Sequence, residues 1–417
     1  MPPSRLVGRL ASLSSCLLLV AAAAYAAEPT RQPSCVVCHS EAGTKFADDA
    51  HAAADMTCVT CHGGNPADME ASAMSHGGGF RGAPSRQQIP TFCANCHSNR
   101  LLMKQYGLPA QEFEDYKLSE HGHAWARGDV RAAVCTDCHG THGILRADDT
   151  RSSVYPTNVP ATCGRCHDDA QLMGAHGLPS HAFEEYRQSV HGKALLEGQN
   201  KAAPSCASCH GNHAALPPAA QQIGNVCGQC HRQIVERLRQ SAHAAAVRAG
   251  ALTECISCHD HHLIQPASPE RLKIVCGKCH APDSPAAAEA RRMYELITGA
   301  QGDYDEAVAA VQRLERLGRT AGDLKTHLEE AHTKLVQTAD VQHLLQAREV
   351  ERYTIAVTEA ADEVKHRAAE VHVELRARKA LLVVLWIAVL AMAGMLLTKR
   401  ARASKELTPS PTGGDSR

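Results

Sequence analysis

The pattern Cys-x-x-Cys-His occurs nine times, starting at Cys35, Cys58, Cys93, Cys135, Cys163, Cys206, Cys227, Cys255 and Cys276. No other feature constrains the fold as strongly. The second cysteines are Cys38, Cys61, Cys96, Cys138, Cys166, Cys209, Cys230, Cys258 and Cys279. The closing histidines are His39, His62, His97, His139, His167, His210, His231, His259 and His280. A lone Cys-x-x-Cys suits a zinc half-site or a redox dithiol. Neither requires a histidine directly after the second cysteine, and here nine of nine have one. The pattern is that of covalent c-type haem attachment. Two thiols add to the two vinyl groups of one porphyrin, and the adjacent histidine becomes the proximal iron ligand. The motifs use eighteen of the nineteen cysteines; Cys16 lies in a segment expected to be removed. Nine covalently bound c-type haems, each with its iron, are expected.

Residues 27–282 provide about 28 residues per motif, too little protein to bury a conventional core. Aromatic residues make up only 4% of the chain, whereas histidines number 26. The porphyrins must supply the apolar interior, so this region is expected to be unfolded without them. The formal net charge is -1, which gives no basis for a nucleic-acid partner.

Residues 1–26 read as a secretory signal. Arg5 and Arg9 precede an apolar stretch, Leu13 to Ala24, and Ala24-Tyr25-Ala26 offers a cleavage site. Most of that stretch follows Cys16 instead of preceding it, which argues against a lipoprotein anchor. Haem attachment to this motif occurs outside energy-transducing membranes, so the chemistry also requires export. Ala380 to Thr398 is a 19-residue apolar run without charge, long enough to span a bilayer. Basic residues flank it on both sides, so charge does not set its orientation. The haems do: they must lie outside, which leaves residues 399–417 in the cytoplasm. The expected location is the bacterial inner membrane, with the haem domain in the periplasm.

The motif region is internally repeated. Residues 93–144 and 163–215 align almost without gaps: Leu102-Met103 matches Leu172-Met173, and Gly107-Leu108-Pro109 matches Gly177-Leu178-Pro179. Phe113-Glu114-Asp115-Tyr116 matches Phe183-Glu184-Glu185-Tyr186, and Ser119-Glu120-His121-Gly122 matches Ser189-Val190-His191-Gly192. A shortened third copy runs from Cys227 through Ser241-Ala242-His243 to His262. Cys35 and Cys58 form a divergent first pair, and Cys276 stands alone. On these doubled motifs the chain resembles the cytochrome c3-like superfamily, over roughly residues 30–282. The resemblance implies a mainly α, loop-rich domain organised by close haem packing. Ala110–Gly128, His181–Gly198 and Arg232–Gly250 have helix-forming composition and end at glycine. The expected order is a signal peptide (1–26), a nonahaem domain (27–282), a helical or coiled-coil segment (283–379), a membrane helix (380–398) and a cytoplasmic tail (399–417).

A carrier iron needs a second axial ligand, and repeat position selects candidates. His121, His191 and His243 sit 14, 15 and 12 residues before the next motif, with His51 in a comparable place. His142, His213 and His262 each lie three residues beyond a motif histidine. His76 lies between the second and third motifs. These are eight candidates for nine irons. His123, His176, His181 and His261 lack histidine at matching repeat positions and read as ordinary polar residues. Met103 and Met173 match in position, but a Leu-Met pair beside a motif suits packing on a porphyrin edge better than ligation. The ninth iron is then five-coordinate or ligated from the C-terminal region.

Residues 285–379 contain no cysteine. Gly299, Gly302, Gly318 and Gly322 divide them into two short helices and one very long one. An apolar stripe from Leu324 to Leu375, mostly at three- or four-residue steps, makes the long helix amphipathic. Its partner is the shorter helices, the haem array or a second chain. His327, His332, His343, His366 and His372 read as solvated helix positions, with His327 or His332 as the alternative ligands. The expected function is a membrane-anchored periplasmic electron carrier between a quinol-oxidising integral membrane subunit and other cytochromes. The competing class is a multihaem reductase for nitrite, hydroxylamine or a sulfur oxyanion, with one open iron; no residue is assigned a catalytic role.

Overall fold

The computed structural model describes residues 34–318 and 321–406. The signal segment with Cys16, the chain up to residue 33 and the tail from residue 407 lie outside the described residues. All regular elements among the described residues are helical. The chain divides into two compact units, residues 1–95 with 134–153, and residues 96–133 with 154–417.

The first unit carries short helices, among them Ser34–Cys38, Ser40–Phe46 and the motif helices Cys58–His62 and Cys135–His139. Buried Asp49 ties its segments together. One carboxylate oxygen accepts the Ile144 amide at 2.7 Å, and the other accepts the His51 amide at 2.8 Å. The Ala50 amide donates to the Ile144 carbonyl at 2.7 Å. Arg86 grips Asp137 through two nitrogens, at 3.0 and 2.6 Å. Such a bidentate pair fixes orientation as well as charge.

The second unit contains the repeated arms and the long helices. Each arm expected as one helix is broken in the middle. Glu112–Leu118 is followed by Glu120–Ala126, and Ala182–Gln188 by Val190–Gly192. Arg232–Gln240 is likewise followed by Ala244–Arg248. The cause is the serine at the junction, because a serine hydroxyl competes with the helix ladder. Ser119 donates to the Tyr116 carbonyl at 2.7 Å and accepts from the Gly122 amide at 2.9 Å. Ser189 repeats this with Tyr186 and Gly192, at 2.6 and 3.0 Å. Ser241 donates to the Leu238 carbonyl at 2.7 Å. The kink brings the chain so close that a Cβ at Gly122 or Gly192 would sit 1.9 Å from a tyrosine carbonyl oxygen. Only glycine fits there.

The long helices are Pro285–Arg316, Gly322–Val341 and Ala347–Glu406. The first passes straight through Gly299 and Gly302, which the sequence suggested as breaks. An interior glycine costs only about 1 kcal/mol, and buried Ala290, Met293, Ile297, Ala300 and Ala307 line this helix. Gly318, at φ +76, supplies the left-handed stop. The helix expected to be very long is two helices, interrupted at Gln342–Leu344 and by Leu345 at φ +58. One apolar cluster joins Ala307, Val311 and Leu314 to Leu324, Leu328, Ala361 and Val364. A second joins Met293 and Ile297 to Val341, Ala347 and Val350. Beyond Leu375, the third helix exposes every apolar side chain from Leu381 to Leu397. That stretch is long and apolar enough to cross a membrane, and it points to membrane association.

Candidate haem centres

The motifs adopt two alternating conformations. In the second motif of each pair, the residue before or near the first cysteine is capped from within. The amides of Thr57, Val134, Ser205 and Thr253 donate to the side chains of Thr60, Asp137, Ser208 and Ser257, at 3.0, 2.7, 3.1 and 3.1 Å. The residue after the histidine then turns sharply, at φ +69 for Gly63, +81 for Gly140, +81 for Gly211 and +62 for Asp260. With ψ near ±170 this is a region essentially reserved for glycine, so Asp260 is strained. The other class ends a longer helix, as in Ile89–His97 and Val159–His167.

First cysteines of paired motifs meet. The thiols of Cys93 and Cys135, Cys163 and Cys206, and Cys227 and Cys255 are in mutual hydrogen-bonding contact, as are Cys35 and Cys58. In the haem-free chain this contact, reinforced by burial, raises the thiols of Cys135, Cys206 and Cys255. Their partners Cys93, Cys163 and Cys227 are lowered by the same contact, Cys227 to about 7. The doubled motif is therefore a spatial pair as well as a sequence pair.

Among the described residues, imidazole pairs face one another across nearly constant gaps, six of them as follows. Ring centroids are 6.0 Å apart for His62–His142, His121–His167, His210–His262 and His243–His280. The value is 6.2 Å for His191–His231 and 6.1 Å for His259–His343. Each pair joins one motif histidine to one non-motif histidine. Ordinary ring packing scatters over about 4.5–7 Å. An iron about 2 Å from each ring nitrogen, a usual metal–imidazole length, sets two coaxial rings about 6 Å apart. The spacing fits a metal held between each pair.

Outer hydrogen bonds aim the rings. Nδ1 donates to the carbonyl of Gly82 in His62 at 3.0 Å, of Leu216 in His210 at 3.1 Å and of Ala339 in His343 at 2.8 Å. A carbonyl can only accept, so Nδ1 carries the proton and Nε2 keeps its lone pair for a metal. His51 Nδ1 is 2.9 Å from buried Asp49, and His262 Nδ1 is 3.6 Å from Glu185. Burial lowers the pKa of His167, His191, His243, His259, His262 and His343. They stay neutral, the state that binds a metal. The serine kink of each arm places His121, His191 or His243 in the first turn after the break. Tyr116 and Tyr186 anchor the arms by donating to the carbonyls of Ala133 and Pro204, two residues before the next motif, at 2.9 and 2.7 Å.

Other candidates are placed differently. No ring faces His39 or His76 among the described residues; His76 Nδ1 donates to the Phe80 carbonyl at 3.0 Å. His261 lies 4.7 Å, centroid to centroid, from His262. His181 adopts φ +88 at a helix start. Met103 and Met173 are buried at matching positions. His176 has both nitrogens engaged, Nδ1 with the Leu172 carbonyl at 2.9 Å and Nε2 with Asp129 at 2.6 Å. These contacts raise its pKa. Replacing His176 with alanine is expected to leave every haem's spin state unchanged, as read by electron paramagnetic resonance of the oxidised protein. A new high-spin signal would make His176 a ligand.

His343 escaped the sequence reading. Its helical spacing resembles that of any solvated position, and its local signal is that the apolar stripe loses its three- or four-residue step on either side, from Leu335 to Val341 and from Leu345 to Val350.

The family model "Doubled CXXCH motif" matches residues 127–172. The model "Cytochrome c554 and c-prime" matches residues 18–63 and 226–301. No curated protein and no solved structure matches the chain.

Proposed function

We propose that this chain, a multihaem c-type cytochrome with doubled Cys-x-x-Cys-His motifs, carries electrons through nine haems from a position anchored to the inner membrane on its periplasmic side. The observation that supports this reading is the set of six facing imidazole pairs at 6.0–6.2 Å. When bound, the haems supply one-electron redox chemistry. The chain's residues do the rest. Motif thiols would fix each porphyrin, motif histidines and the histidines that face them would hold the irons, and Nδ1 partners would orient the rings. Paired histidines lack the upward shift in potential that methionine brings, so the potentials are low. Two firmly held ligands also leave no coordination site for a substrate.

The donor or acceptor in the membrane is a quinol-oxidising integral subunit, with periplasmic cytochromes at the other end. The span Ala380–Thr398 contains no histidine, so it holds no haem of its own. The long third helix also offers a seam for an oligomer. The domain limits follow the same reading: a haem domain over 27–282, a helical segment over 283–379, and a span ending at residue 398.

Ligand count and spin state test this. Intact mass is expected to show nine haem additions. Electron paramagnetic resonance is expected to show at least eight low-spin haems and at most one high-spin. Replacing His191 with alanine converts one haem to high spin without loss of its thioethers. Several high-spin signals in the unaltered protein would refute the ligand set. His39, which no ring faces among the described residues, favours a second reading, in which the first haem is open and reactive. A single high-spin signal that shifts with nitrite or hydroxylamine would select that reductase reading over the carrier.

A further inference from the structure

Facing rings follow a register along the motif order. His121, His191 and His243 precede the fourth, sixth and eighth motifs, yet they face His167, His231 and His280 of the fifth, seventh and ninth. His142, three residues past the fourth motif, faces His62 of the second. His262, three past the eighth, faces His210 of the sixth. In that register His259 of the eighth motif needs a histidine three residues past a tenth motif, and the chain has only nine.

We infer that His343, from the helical segment outside the motif region, is the distal ligand of the eighth haem, so that the segment leading into the membrane helix is itself part of a haem centre. Its ring stands opposite His259 at the same 6.1 Å spacing as the other pairs. The Ala339 carbonyl accepts from Nδ1 at 2.8 Å, which leaves the lone pair on Nε2.

The turn that presents His343 is built and not incidental. It interrupts what would otherwise be one continuous amphipathic helix. Leu345 adopts φ +58, a left-handed conformation costly for a branched residue and typical of positions held for function. The third helix that follows is capped from a distance: the Ala347 amide donates to Glu289 of the first long helix at 2.5 Å. Val341, Ala347 and Val350 anchor both sides of the turn in one apolar cluster with Met293 and Ile297. Helix Arg232–Gln240, which begins directly after the seventh motif, packs on the same turn. His332, the alternative from this segment, is turned to Tyr304 at 5.7 Å. Repeat position offered eight histidines for nine irons, and His343 is a ligand from the C-terminal region of the kind that this reading left open.

The inference rests on the nine-haem reading, and the test separates the two. Full-length, haem-loaded protein with His343→Ala is compared with the unaltered chain. The haem count by intact mass is expected to stay at nine in both. The variant is expected to gain one high-spin haem by electron paramagnetic resonance and to bind one further equivalent of carbon monoxide when reduced. Added imidazole is expected to return that haem to low spin. His343→Met is expected to keep the haem low-spin while moving one midpoint potential upward. Fewer than nine haems in the unaltered chain would count against the nine-haem reading alone. A His343→Ala protein with nine haems, unaltered spin states and unaltered carbon monoxide binding would overturn the inference. If that variant does not accumulate, an unaltered potential envelope in His343→Met overturns it instead.

Discussion

Chain produced without haem attachment is expected to leave residues 34–282 unfolded while the helices between Pro285 and Leu375 remain formed. The reason is where the apolar contacts lie. Both apolar clusters draw only on residues from Leu272 to Leu375. In the motif region, buried apolar side chains such as Met103, Tyr116, Tyr155, Met173, Tyr186 and Leu195 are scattered. The motif helices are four to nine residues long, shorter than the roughly 12–15 needed for marginal stability in water. What holds them is internal capping and the arms' serine and tyrosine hydrogen bonds, each worth about 1 kcal/mol net. Those cannot offset a backbone cost of about 1–2 kcal/mol per residue, so the porphyrins must. The three long helices bury their stripes against one another and need no haem. Limited proteolysis with mass spectrometry would read the outcome as a resistant fragment of the helical segment and rapid loss of the rest. A haem-free chain resistant throughout residues 34–375 would show that protein contacts alone suffice.

This division of labour also explains what the sequence reveals. The haem-attachment motifs are plain from spacing, because thiol-to-vinyl geometry and an adjacent ligand leave no freedom; the mainly helical class came from the family resemblance and the helix-forming arms. The apolar membrane run is equally plain, because a bilayer demands an unbroken stretch. The alternation of motif classes is written in the sequence but was not read from it. Thr60, Asp137, Ser208 and Ser257 hold one place in every second motif, and Gly63, Gly140 and Gly211 follow three of those histidines. Which histidines face which motif was not legible. His121 sits nearest Cys135 in sequence yet faces His167, because the serine kink sends the arm past its neighbour. The break at His343 was hidden for a related reason. It depends on Glu289 and the Met293 cluster, residues distant in sequence, and on a left-handed leucine that no propensity scale would place there.

Truncating the chain before Arg376 is expected to move the protein wholly from the membrane fraction to the soluble periplasmic fraction with its haems and spin states unchanged. The cut falls just past the last residue that packs on the helical core. Val371 and Leu375 still touch the cluster around Val364 and Ala368. Every apolar side chain from Leu381 to Leu397 is exposed, so removing them costs no internal contact. What is lost is a 19-residue apolar run whose transfer into lipid is favourable by about 0.3–0.6 kcal/mol for each leucine, isoleucine, valine or phenylalanine near the helix centre. The haem-facing turn is retained, since Ala347 lies about 50 Å of continuous helix before Ala380. Cutting instead after Pro282 is expected to give a second soluble form that differs in one respect: without His343 it shows one additional high-spin haem. Fractionation after a high-salt wash and spin quantitation of both forms check the pair of outcomes. Retention of the longer form in the membrane fraction would place the anchor elsewhere in the chain. Identical spin states in the two forms would detach the eighth haem from the helical segment.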